Sequence, residues 1–82
     1  MEFAKIFKVG KKHQVLVTEI LPAEGEELYG INIETRIDGL SIATKLEHKT
    51  ENDAESAFEK FDQSYADAFF DQMNNLLTRE NE

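Results

Sequence analysis

LYGINIETRIDGLSIATKLEHK, residues 28–49, is the stretch that decides the fold. Its first half alternates Tyr29, Ile31, Ile33, Thr35 and Ile37 against Gly30, Asn32, Glu34 and Arg36, the period of a half-buried strand. Asp38-Gly39 follows, a dipeptide that accepts the positive φ angles of a two-residue type I′ turn. The second half alternates Leu40, Ile42, Thr44, Leu46 and His48 against Ser41, Ala43, Lys45 and Glu47. A two-residue turn sets Ile37 opposite Leu40, Thr35 opposite Ile42, Ile33 opposite Thr44, Ile31 opposite Leu46 and Tyr29 opposite His48. Every pair falls on one face, apolar until its last pair, so turn chemistry and periodicity specify the same register.

Upstream, Gln14–Leu21 is rich in β-branched residues and stops at Pro22, which predicts another strand. Phe3–Val9 is its expected partner across Gly10-Lys11-Lys12. Apolar residues occupy both parities there (Ile6 and Phe7, Leu16 and Val17), so the register stays open and a short helix over residues 2–8 remains an alternative. The acidic loop PAEGEE, residues 22–27, lets the second hairpin lie over or beside the first.

Downstream, a helical pattern runs from Asn52 to about Arg79. Ala54, Phe58, Phe61, Tyr65, Ala68, Phe69, Met73 and Leu76 form one stripe. A second ridge of Ala66, Phe70 and Leu77 lies beside it, with Met73 between the two. Asn52 and Glu55 have capping-box spacing, Glu51 and Asp53 suit the helix start, and Arg79 suits its end. The expected fold class is α+β: a four-stranded antiparallel sheet of two hairpins, followed by one long C-terminal helix packed on one face. The chain of 82 residues makes a single domain, sheet over 1–49 and helix over 50–80.

A helix of about 27 residues is roughly 40 Å long, whereas four strands make a sheet only about 20 Å wide. The helix is therefore expected to overhang, carrying Ala66, Phe70, Met73 and Leu77 past the sheet as a dimer or partner interface. A bend near residues 72–75 that tucks the end inward is the rival reading.

The sequence has 17 acids against 9 Lys and Arg, a net charge of −8. The charge is uneven: residues 1–18 hold four lysines and one acid, while residues 51–82 hold nine acids and two bases. Residues 1–8 lack the apolar run of a secretory signal, no segment has the apolar length of a membrane span, and there is no cysteine. These features suit a cytoplasmic protein with no membrane partner.

Catalytic, cofactor and metal chemistry find little footing. The two histidines, His13 and His48, have no second ligand at metal spacing. His48 is expected to hydrogen-bond Tyr29 across the strands. With four glycines there is no phosphate-cradling loop, and no EF-hand pattern occurs. The expectation is a non-enzyme without cofactor or metal, which binds an unidentified protein partner.

Two electrostatic alternatives stand beside that reading. Lys5, Lys8, Lys11, Lys12 and His13, interleaved with Phe3 and Phe7, form a basic surface suited to single-stranded nucleic acid, although the net charge disfavours it. In outline, four strands and a C-terminal helix are similar to the single-stranded-DNA-binding transcriptional coactivators and to some phage inhibitors of CRISPR complexes. That likeness covers topology only and carries no residue across; an accessory, phage or mobile-element role is expected by association with the chain's small size and acidity. Alternatively, Asp53, Glu55, Glu59, Asp62, Asp67 and Asp71 line up as a mimic of the DNA backbone. A further candidate surface is the polar sheet face with Asn32, Glu34, Arg36, Lys45 and Glu47.

Overall fold

The computed structural model describes residues 4–20, 22 and 28–78; Phe3, the acidic stretch 23–27 and Arg79 lie outside the described residues. Four antiparallel strands, β1 (Ala4–Val9), β2 (His13–Ile20), β3 (Tyr29–Ile37) and β4 (Leu40–His48), form one sheet in chain order. Two helices follow, α1 (Glu51–Lys60) and α2 (Gln63–Thr78).

The β3–β4 hairpin has the register its sequence specifies, from Ile37 opposite Leu40 to Tyr29 opposite His48. Asp38 and Gly39 take φ of 51° and 82°, the pair of positive angles that a type I′ turn needs. The first hairpin resolves as a strand pair, with Val9 opposite His13 and Phe7 opposite Val15. Phe7, Val9, Val15 and Val17 thereby point to the helices, whereas Ile6 and Leu16 share a row on the other face. The second hairpin lies beside the first, Val17 opposite Ile33, so the chain is a simple meander.

The inner face supplies Val9, Val15, Val17, Ile31, Ile33 and Ile37, and the helices cover it with Ala54, Phe58, Phe61, Ala66 and Phe70. Thr35 is the buried polar residue there, and its hydroxyl donates to the Gln14 carbonyl oxygen at 2.8 Å.

The single long helix is corrected to two. Phe61 leaves helical geometry with φ −71° and ψ 110°, and α2 restarts at Gln63. No proline or glycine lies between residues 51 and 78, so the break comes from side chains that cap the two ends it creates. Lys5 from β1 donates to the carbonyl oxygens of Phe58 (2.7 Å), Glu59 (3.4 Å) and Phe61 (3.5 Å) at the end of α1. Asp62 Oδ1 accepts from the Tyr65 N–H at 3.1 Å and starts α2. Gln63 Nε2 then ties that start to the Lys8 carbonyl at 2.7 Å.

The start of α1 also differs from the expected capping box. Thr50, extended at φ −130° and ψ 155°, is the N-cap, and its hydroxyl accepts from the Asp53 N–H at 3.1 Å.

Candidate interaction surface

The elbow decides which side chains of the C-terminal segment meet the sheet. At 100° per residue the first stripe and the second ridge lie roughly a third of a turn apart. Helix α1 rests chiefly on β3 and β2 through the first stripe, using Ala54 and Phe58. Helix α2 meets the sheet chiefly at β1, through the second ridge. Ala66 is 0% exposed and Phe70 8%, with the Phe70 ring tilted against His13 at 4.8 Å between centroids. Met73 and Leu77 pack partly buried against the same core.

The expected overhang of Ala66, Phe70, Met73 and Leu77 is therefore corrected for its two leading members, which lie inside the protomer. The physical reason is the turn at Phe61–Asp62. It lays α2 along β1, with Gln63 at Lys8 and Phe70 at Gly10, and turns the second ridge inward. What α2 leaves in water is its share of the first stripe: Tyr65 is 58% exposed and Leu76 60%, with Ala68 exposed and Phe69 half-buried between them. Facing Tyr65, Ala68 and Phe69 across a groove of about 430 Å³ is Leu46 of β4, 44% exposed, whereas Leu76 lies beyond the groove walls. Ile31, Ile33, Ala57 and Phe61 complete its walls, and Lys60 and Gln72 supply its polar groups. Tyr65, Ala68 and Phe69 thus face the part of β4 around Leu46 that the described residues leave open.

The basic surface is divided. Lys5 is half-buried, spent on the end of α1 and set 4.5 Å above the Phe58 ring. His13 is packed on Phe70. Lys8, Lys11 and Lys12 remain exposed at the first turn, and Phe7 is half-buried against Phe61 at 5.7 Å rather than presented for stacking.

On the outer sheet face Asn32 Nδ2 donates to Glu34 Oε1 at 2.7 Å, and Arg36, Lys45 and Glu47 are exposed. A broad depression of about 740 Å³ draws on all four strands, with Ile6, Leu16, Glu34 and Arg36 on its wall.

Polar chemistry elsewhere is sparse. His48 sits opposite Tyr29, but its Nδ1 is buried without a hydrogen-bond partner among the described residues, so the expected bond to Tyr29 is not made through that nitrogen. Glu19 projects from the inner face of β2 toward Glu55, Glu51 and Glu59 of α1. Burial first, and those three carboxylates second, hold its carboxyl above the ordinary value. Among the described residues no group of three or more His, Cys, Asp or Glu is placed to hold a metal, and no helix is long and apolar enough to cross a membrane.

Sequence reasoning missed Lys5 as a helix cap, because the partner carbonyls lie more than 50 residues away. It also ran Tyr65 and Leu76 into one stripe with Ala54 and Phe58, since the helical spacing continues through the break. Comparison with known proteins returns no matching family model, curated protein or solved structure.

Proposed function

We propose that this chain is a non-catalytic interaction protein that works as a homodimer, with a second copy covering the stripe Tyr65–Ala68–Leu76 and the groove beside Leu46. The observation that carries this reading is that exposed stripe. It lies at helical spacing, and its Tyr65 and Ala68 line a groove with Leu46, itself 44% exposed. A second copy fits because groove and filler belong to one chain: a two-fold axis lays each stripe against the other, the self-complementary contact of the commonest oligomers. The charge distribution agrees, since Asp67 and Asp71 of α2 are exposed away from the groove walls.

Sedimentation over a wide concentration range tests it. The wild type is expected to associate, with little sensitivity to salt because the contact is apolar. Leu46→Glu and Tyr65→Glu each weaken association about tenfold or more, as expected for charge placed in an apolar contact, while the melting temperature of the dilute protein holds. A wild type that stays monomeric throughout overturns the reading.

A further inference from the structure

We infer that the elbow at Phe61–Asp62 is a latch set by Lys5, and that opening it straightens α1 and α2 into one rod that docks α2 on the β1 face of a second copy. The inference rests on the homodimer reading and adds that α2 itself changes hands.

The argument starts from three carbonyl oxygens. In a continuous helix those of Phe58, Glu59 and Phe61 accept from the N–H groups of Asp62, Gln63 and Tyr65, four residues on. In the elbow the Lys5 ammonium reaches all three, one at short range and two at longer range, and the Phe58 oxygen also accepts from the Phe61 N–H. The Tyr65 N–H is met instead by Asp62 Oδ1. Lys5 and the helix backbone thus compete for the same acceptors, and bending exchanges one set of partners for another. Nothing covalent enforces the bend, because the segment has neither proline nor glycine and the first stripe runs unbroken through it.

The occupant follows from the same geometry. When the rod straightens, the site that α2 vacates (the β1 face with Gly10 and His13 around Phe70) keeps the shape of α2. The element already known to fit it is the α2 of another copy, and a two-residue hinge between helices is the structural requirement for such an exchange. The exchanged α2 brings Tyr65 and Ala68 with it, so each groove then has one wall from each copy.

Two substitutions bias the latch in opposite directions. Lys5→Met keeps the stem over Phe58 and removes the ammonium. It is expected to raise the association constant about a hundredfold, because each of the two copies no longer gives up a charge-assisted hydrogen bond worth about tenfold. Gln63→Pro suits the first position of α2 but cannot continue a helix from α1, so it holds the elbow even though it gives up the Gln63–Lys8 bond, a loss that the melt of the dilute variant reads separately. It is expected to abolish the exchanged dimer even when combined with Lys5→Met.

Because the chain has no cysteine, spin labels at Asn52→Cys and Asp71→Cys report the bend directly. A continuous helix sets these positions about 28 Å apart along its axis, a spacing that the break at Phe61–Asp62 does not keep. The long separation within each chain is expected in the Lys5→Met dimer and is lost on adding Gln63→Pro. A Lys5→Met protein that stays monomeric, whatever its label distance, overturns the exchange. So does a dimer indifferent to Gln63→Pro, and if that dimer is still split by Leu46→Glu, the homodimer reading survives alone. Should Lys5→Met fail to fold, Gln63→Pro in the otherwise wild-type chain decides: loss of its dimer supports the latch and persistence overturns it. Wild type and variants that never associate overturn both.

Discussion

The side-chain nitrogen of Lys5 lies 2.7 Å from the carbonyl oxygen of Phe58 and 4.5 Å above the ring of the same residue. One lysine on β1 therefore neutralises the negative end of α1 and packs its stem and charge on a core aromatic. It also joins the outermost strand to the first helix, which otherwise rests on β3 and β2.

Lys5→Met should consequently lower stability by about 1.5–3 kcal/mol, the range for a hydrogen bond from a charged group. For a chain of this size each kcal/mol moves the melting temperature by roughly 4–8 °C. The same change at Lys8, Lys11 or Lys12, all exposed, should stay within about 0.5 kcal/mol. Thermal melts of the four variants at low protein concentration check the contrast, and equal losses at all four positions would show that Lys5 has no special duty.

That contrast also shows where the sequence was readable. The β3–β4 hairpin was legible because Asp38-Gly39 and ten alternating positions constrain the same register, and a slip of one residue would invert every side chain. The first hairpin was legible as strands but not in register, since Ile6 and Leu16 leave apolar groups on the outer face, where the pattern expects polar ones. The elbow was hidden. Residues 58–65 look like uninterrupted helix, and the group that stops it, Lys5, sits on the other side of the sequence. The assignment of the two apolar ridges failed for the same reason, because turning at Phe61 exchanges which ridge of α2 meets the sheet. The polar ends of the helices were half legible: the first-turn acids are there, but Thr50 outcompetes Asn52 as cap because the strand delivers it in extended geometry.

Two glycines in the second hairpin should respond differently to the same substitution. Gly39 needs its positive φ but has open space around it, so Gly39→Ala costs only the strained backbone, about 1–2 kcal/mol. Gly30, paired with Glu47, has ordinary backbone, but an added Cβ would run into the carbonyl of Leu46 on β4. Gly30→Ala must push β3 and β4 apart and should cost more than Gly39→Ala, with weakened amide protection along β4. Hydrogen exchange and denaturant titration of the two variants distinguish strain at a turn from collision within the ladder. Equal costs with unchanged β4 protection would contradict the close approach.

Glu19 gives the protein a pH dependence of definite sign. Burial, then Glu55, Glu51 and Glu59, raises its pKa in the folded state. The folded protein thus keeps a proton that the unfolded chain has already lost as pH rises above the ordinary carboxylate value. Stability from this site is full below that value, falls as pH rises through the shifted one and stays reduced at neutral pH. Glu19→Gln removes the penalty. Its melting temperature should exceed the wild type's near neutral pH, and the gap should close on acidification through the carboxylate range. A gap that is independent of pH would mean that the substitution acts through packing alone.

The two ridges of α2 make opposite predictions at positions six residues apart. Phe70 is buried on His13 and beside Gly10, so Phe70→Ala removes a core aromatic and should cost about 3–5 kcal/mol in the isolated protomer. Leu76, on the other ridge, is exposed, and Leu76→Ala should change protomer stability by about 0.5 kcal/mol or less. Association reverses the emphasis: Leu76→Ala should weaken it while leaving the melt of the dilute protein intact. Denaturant unfolding at low concentration, paired with sedimentation at high concentration, separates the two effects. If Phe70→Ala leaves the dilute protomer as stable as before, the second ridge is not seated on β1. The elbow would then have no packing reason to persist, and the whole segment would revert to the straight helix that its periodicity describes.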